Sequence, residues 1–329
     1  MLIVKPLTIP FKILMDSALL NRLPQHHSKI RFIEDDLTRR KVGFRGEQTL
    51  LYHLGFLKDD HYLIFFDLRL QFEEYFFQID TLILTPHFIL IIEVKNFSGT
   101  LIFEKHSGQF IRIYQNKEES FPNPLFQVQR HHFLLENLFK QKNLPTIPIE
   151  HIVVISNSST YIKTPSDNLQ LYEKVLHSEK IIHKIDQLSR KHSQIKLKSS
   201  SLKKISQFLL QNHIPVTPSI LELFEIQREE VIKGIQCSSC KKFTMIRKHG
   251  KWSCPFCLAQ SKNAHEQAIL DYLLLIEPTI TNKKCQDFIL LSNRKIVTNL
   301  LTALNLPFSG KDRYRKYHLP PVEYFQDTI

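Results

Sequence analysis

No stretch of this chain is long and apolar enough to cross a bilayer. The longest apolar run, Phe88 to Ile92, falls far short of the ~20 residues that a spanning helix needs. The first ten residues hold Lys5, Pro6 and Pro10 and lack a small-residue cleavage site, so they make a poor secretory signal. Cysteine is scarce: there are five, and four of them form a metal-type pattern rather than a disulfide framework. These absences together lead to the expectation of a cytoplasmic protein with no membrane partner. Acid is also in short supply, with 32 Asp and Glu against 44 Lys and Arg, a formal net charge of +12. Such a surplus suggests a polyanionic partner, with nucleic acid ahead of an anionic membrane surface; plain solubility is the bland alternative. No internal repeat is visible.

What is present reads as ordinary globular protein, 43% hydrophobic and 23% charged, and 329 residues are enough for more than one domain. Punctuation and composition divide the chain into an N-terminal extension (1–40), an α/β domain (41–157), a helical and linker region (158–235), a four-cysteine ribbon (236–260) and a helical module (263–320). Gly43-Phe44-Arg45-Gly46-Glu47 opens an expected helix from Glu47 to about Leu57. Strand-like runs follow at His61 to Leu70, Tyr75 to Leu84, Phe88 to Val94, Thr100 to Glu104 and Gln109 to Tyr114. Asn123-Pro124 is a helix start with cap and first-turn proline in place, and Ile152 to Ile155 is a short buried strand. Pro215 and Pro218 suggest a linker.

The most informative run is Gln78-Ile79-Asp80, followed after twelve residues by Glu93-Val94-Lys95-Asn96. Both pieces lie in apolar, β-branched and aromatic surroundings, where a carboxylate is costly unless it is paired or holds a metal. A tight turn at Pro86-His87 would set Asp80 almost opposite Glu93, and strand alternation puts Glu93 and Lys95 on one face. Two acids and a lysine there are the parts needed to hold a divalent cation against a phosphodiester. The bland reading is a solvated Glu93–Lys95 ion pair on an ordinary sheet.

The segment from about Lys41 to Ile155 resembles the nuclease-related domain (NERD) family, a branch of the PD-(D/E)xK nucleases. The resemblance rests on Gly46-Glu47, Gln78-Ile79-Asp80, Glu93-Val94-Lys95-Asn96 and Asn123-Pro124 followed by Gln127. The proline of the superfamily name is absent, with Ile79 in its place. The resemblance implies a restriction-endonuclease-like mixed sheet flanked by helices, and a Mg2+- (or Mn2+-) dependent phosphodiesterase. In that reading Asp80 and Glu93 hold the metal, and Lys95 orients the attacking water and stabilises charge on the phosphate. Glu47 approaches the metal directly or through water, and Gln127 holds the lysine or the substrate. The rival reading is a catalytically idle nucleic-acid-binding or regulatory protein on a nuclease fold.

Cys237-Ser238-Ser239-Cys240 and Cys254-Pro255-Phe256-Cys257 stand thirteen residues apart. Two such pairs are a strong signal for a closed, structural Zn2+ site, with Trp252 and Phe256 expected to cover the metal; disulfides or a redox pair are the alternatives. Lys241, Lys242, Arg247, Lys248 and Lys251 lie in the ribbon with no acid between the knuckles, which favours phosphate contact. Cys285, at helical spacing with Phe288 and Ile289, reads as core. Helical patterns at Asn263 to Ile276, Thr281 to Leu291 and Arg294 to Leu304, then a basic aromatic tail, resemble a helix-turn-helix with a wing. A plain packing module gives the same periodicity. Arg294, Lys295, Arg313, Arg315 and Lys316 are the expected phosphate contacts, DNA being favoured over RNA. His131 and His132 read as non-catalytic.

Overall fold

The computed structural model describes residues 1–58, 61–164, 170–215 and 219–328. Pro218 of the expected linker and the side chain of Arg313 lie outside the described residues. The chain forms two compact units, one made of Met1–Leu7 and Val42–Val216, the other of Thr8–Lys41 and Thr217–Ile329.

The first unit is built on a mixed sheet of six strands: β1 (Leu2–Lys5), β2 (Leu63–Phe72), β3 (Tyr75–Leu84), β4 (Ile89–Lys95), β8 (Ile149–Ile155) and β10 (Val175–His177), adjacent in that order. β2, β3 and β4 form an antiparallel meander, whereas β1 joins β2, β8 joins β4 and β10 joins β8, all in parallel. β4 and the Ile152 to Ile155 part of β8 are mostly apolar and buried because helices cover both sheet faces. One face packs on helix α2 (Pro124–Gln141) through Val128, Leu135 and Leu138. The other packs on Leu50 and Leu54 of helix α1 (Ile30–Leu54) and on Ile181 and Ile185. A smaller sheet joins β5 (Thr100–Phe103), β6 (Phe110–Tyr114), β7 (Lys117–Phe121) and β9 (Tyr161–Lys163) in the order β7-β6-β5-β9.

Helix α1 begins far upstream of the expected start at Glu47, and the boundary between the units falls within it. The expected helix starts after Gly43 and Gly46. Yet a helical glycine costs only about 1 kcal/mol, and Gly46 has a packing role. A Cβ there would come within 2.8 Å of Ser156 Oγ and 2.9 Å of the Asn96 Cβ. The bare glycine thus lets α1 settle against the ends of β4 and β8. Asn96 Nδ2 completes the join by donating to the Val42 carbonyl at 2.8 Å.

The second unit contains the helix Phe11–Arg22, a three-stranded ribbon of β11 (Ile246–Lys248), β12 (Lys251–Ser253) and β13 (Gln260–Ser261), and helices α3 (Ala264–Leu275), α4 (Asn282–Ile289) and α5 (Arg294–Ala303). Thr281 and Asn293 cap α4 and α5 through their side-chain oxygens. The strand Lys316–His318 pairs antiparallel with both Thr279–Thr281 and Phe308–Ser309. Its core is continuous from Leu19 and Ile33 through Trp252 to Phe288, Leu301 and Tyr317. Cys285 is fully buried there.

Candidate functional site

The Pro86-His87 turn is tight. Thr85 N donates to Phe88 O at 3.0 Å, and Thr81 stands opposite Ile92, so Asp80 and Glu93 occupy the next step of the ladder. Asp80 Oδ2 accepts from the Val94 backbone N–H at 2.8 Å. Glu93 is only 2% exposed, and its Oε1 accepts from Lys95 Nζ at 2.6 Å. Lys95 also reaches Gln127 Oε1 at 3.3 Å. Gln127 arrives there because Asn123 caps α2, accepting from Leu125 N at 2.9 Å, and Pro124 opens the first turn. Asp80, Glu93, Lys95 and Gln127 therefore meet at one place.

Electrostatics define the cluster further. Burial, then Asp80, Asp67 and Glu93, push the Glu47 carboxyl up to about 9. Burial, then Asp80, push Glu93 up to about 8 against the pull of Lys95. Asp80 is also raised, by burial foremost. Burial opposes the charge on Lys95, but Glu93 and Asp80 together outweigh it and hold the ammonium above its ordinary value. The solvated ion pair of the bland reading does not describe a glutamate this deeply buried.

One oxygen of the cluster is left open. Glu93 Oε2 is buried without a hydrogen-bond partner, and so is His131 Nδ1, which lies 3.9 Å from it. Burial, then Arg130 and Lys95, lower His131 to about 4, so its ring is neutral at pH 7 and does not neutralise the glutamate. A carboxylate oxygen without a donor, amid acids whose charge is costly, fits a cation or its bound water. His131 was passed over in the sequence; its signal is the i, i+4 spacing from Gln127, which puts both on one helix face. Asp67 was missed as well. It lies in β2 with φ of +50°, and its Oδ1 accepts a hydrogen bond from Gln78 Nε2.

These acids set a pH dependence in metal-free buffer. The folded values of Glu47 and Glu93 lie above the 4.5 of the unfolded chain. Their stabilising contribution is full below about pH 4.5 and is lost as pH rises towards 8 to 9, because the unfolded state sheds those protons first. In buffer free of Mg2+ and Mn2+ but without chelator, the melting temperature should fall from pH 6 to pH 9 by roughly 5 °C, allowing for the partial exposure of Glu47. Calorimetry showing a flat or rising profile would contradict this.

In the second unit the four cysteine sulfurs all lie within 4.8 Å of one another. Cys237 Sγ is 3.6 Å from Cys257 Sγ, and Cys240 Sγ is 3.6 Å from Cys254 Sγ. A tetrahedron of ~2.3 Å metal–sulfur bonds has edges of about 3.8 Å. No disulfide joins them. The set can therefore hold a tetrahedral metal ion. Trp252 is 1% exposed, in the same core as Cys237 and Cys254, and donates its Nε1–H to His265 Nδ1 at 3.2 Å. Phe256 is exposed, with Lys242 Nζ 3.0 Å from its ring centroid.

The expected phosphate contacts divide into two kinds. Lys241, Lys248, Lys251, Arg294, Lys295 and Lys316 are exposed. Arg247 lies over Trp252 at 5.2 Å and Arg315 over Phe308 at 4.6 Å, both half-buried and each with a buried nitrogen that has no acceptor. Lys248 faces Lys251 across the β11–β12 hairpin, a juxtaposition that is unfavourable without an anion nearby.

The first unit is thus a mixed α/β fold that gathers carboxylates, a lysine and a glutamine at the end of its central strands. Residues 42–156 match the family described as nuclease-related domain, and this segment holds Glu47, Asp80, Glu93, Lys95 and Gln127. The match covers 115 of the 329 residues. No curated protein and no solved structure matches the chain. No helix among the described residues is long and apolar enough to cross a membrane.

Proposed function

We propose that the chain is a metal-dependent nuclease that hydrolyses phosphodiester bonds of nucleic acid, with DNA favoured. The observation that carries this is Glu93, buried with one oxygen on Lys95 and the other without a partner, inside the nuclease-related segment. Asp80 and Glu93 are the ligands for Mg2+ or Mn2+, with Glu47 beside them. When bound, the cation supplies a hydroxide-like water and positive charge for the phosphate. Lys95, kept charged by its two carboxylates, orients that water and stabilises charge on the phosphate oxygens. Gln127 limits the freedom of the lysine from α2. A divalent-metal series against labelled DNA and RNA tests the reading.

The four cysteines hold a structural Zn2+, since four thiolates leave no open position for chemistry. The exposed cations of the ribbon and of α5, and those stacked on Phe256 and Phe308, serve as contacts to the phosphate backbone. Aromatic rings beside cations suit bases as well as phosphates. Replacing Lys241, Lys248 and Lys251 together by glutamine should weaken DNA binding. It should also flatten the dependence of log affinity on log salt by roughly 0.9 per lost duplex contact. An unchanged affinity and slope across a salt series would show that the ribbon is not the anchor.

A further inference from the structure

Asp67 occupies a break in the central sheet. Side chains along a strand alternate between faces. Phe65 and Leu68 nevertheless lie in the same core, three residues apart, and so do Leu82 and Ile79 on the partner strand. The register is unaltered across the break: Phe66 pairs with Thr81 and Leu68 with Ile79, which leaves Asp67 opposite Asp80. Both strands thus change face together at this pair of aspartates. Asp67 permits the change through its left-handed backbone, which is unfavourable for an L residue and tolerated best by glycine, asparagine and aspartate.

Two carboxylates opposite each other, one on a strained backbone, are unfavourable for the fold. Gln78 holds the arrangement in place. Its side-chain amide donates to Asp67 Oδ1, giving the glutamine of the Gln78-Ile79-Asp80 run a task that the catalytic reading leaves open. The charge of Asp67 is felt by both Asp80 and Glu47. Lys5 lies nearby, donating to the Phe66 carbonyl at 2.9 Å, and its charge is felt by Glu47. Asp67 is therefore a fourth acid beside the three assigned to the metal site, fixed by a hydrogen bond from Gln78 and by a left-handed backbone.

We propose that Asp67 is a positioning residue of the metal site. Its carboxylate, held opposite Asp80 by the β2–β3 register and by Gln78, raises the negative field at Asp80 and Glu47. This inference rests on the metal-dependent reading of that cluster. Outer groups that act on metal ligands in this way typically contribute 10- to 100-fold to metal affinity.

The test is Mn2+ binding to the full-length protein, followed by electron paramagnetic resonance and calorimetry. Asp67→Asn removes the charge, keeps an acceptor for Gln78 and tolerates the left-handed backbone. Asp67→Gly keeps that backbone and removes the side chain. Both variants should bind Mn2+ roughly 10-fold more weakly. Their cleavage rate at saturating metal should return to within a few-fold of the parent, because the field acts on metal uptake. Parent-like Mn2+ affinity in Asp67→Asn overturns the proposal, as does a rate that saturating metal does not restore. If the parent binds Mn2+ no better than Asp80→Ala, the metal reading itself fails, and this inference fails with it.

Discussion

Asp80→Ala and Glu93→Ala should each abolish divalent-dependent cleavage while leaving the protein folded. Loss of a metal ligand removes several kcal/mol of transition-state stabilisation, on the order of a 10^3-fold loss in rate or more. The fold should survive for a reason specific to this site. Glu93 sits buried with one oxygen unpartnered, and its carboxyl is raised by burial foremost and then by Asp80. Removing either acid relieves that repulsion but strands a partner, the Val94 N–H of Asp80 or the ammonium of Lys95 beside Glu93, so the metal-free variants should stay folded and melt somewhat below the parent. Lys95→Ala should keep Mn2+ binding and lose most of the turnover, since the lysine acts on water and phosphate. Parallel calorimetry and single-turnover cleavage check both halves. A variant that cuts as fast as the parent would show that its residue is not part of the catalytic set.

Removal of zinc should have the second large effect. Structural zinc sites contribute about 10–16 kcal/mol of apparent binding energy at neutral pH, and that energy is folding energy. The ribbon strands are two or three residues long, too short to persist without a metal between the knuckles. A strong chelator, or Cys237→Ser with Cys254→Ser, should melt the ribbon and expose Trp252, now 1% exposed. The only tryptophan of the chain makes this visible as a red shift in fluorescence. Elemental analysis should find one zinc per chain in protein purified without chelator. Zinc-free protein with unshifted tryptophan emission would remove the metal from the picture.

Much of the central sheet was legible. Strand β3 has the bounds expected, Tyr75 to Leu84, because turn signals close both ends of an apolar, aromatic run. The Asp80–Glu93 juxtaposition followed from the two-residue turn alone. The Cys-x-x-Cys pairs announced their cluster, since ligand spacing is local information. What escaped depends on non-local packing. Helix α1 runs through Gly43 and Gly46 because the second glycine is needed against Asn96 and Ser156, a contact no local pattern reveals. Strand β1 gains its place only by parallel pairing with β2, sixty residues on. His131 reads as non-catalytic because the His131-His132 pair lacks ligand spacing within one element; only the fold buries His131 3.9 Å from the orphaned oxygen of Glu93. Asp67 was hidden as well. No local pattern shows that β2 and β3 both change face at Asp67 and Asp80.

The central claim is metal-dependent hydrolysis of nucleic acid at Asp80, Glu93 and Lys95. It is tested most directly by incubating the purified full-length protein with end-labelled single- and double-stranded DNA and RNA across a Mg2+ and Mn2+ series, with Asp80→Ala in parallel. The expected result is strand cleavage that requires the cation, is lost in chelator and is absent in the variant. No cleavage of any substrate at any metal concentration, or equal cleavage by parent and variant, would contradict it.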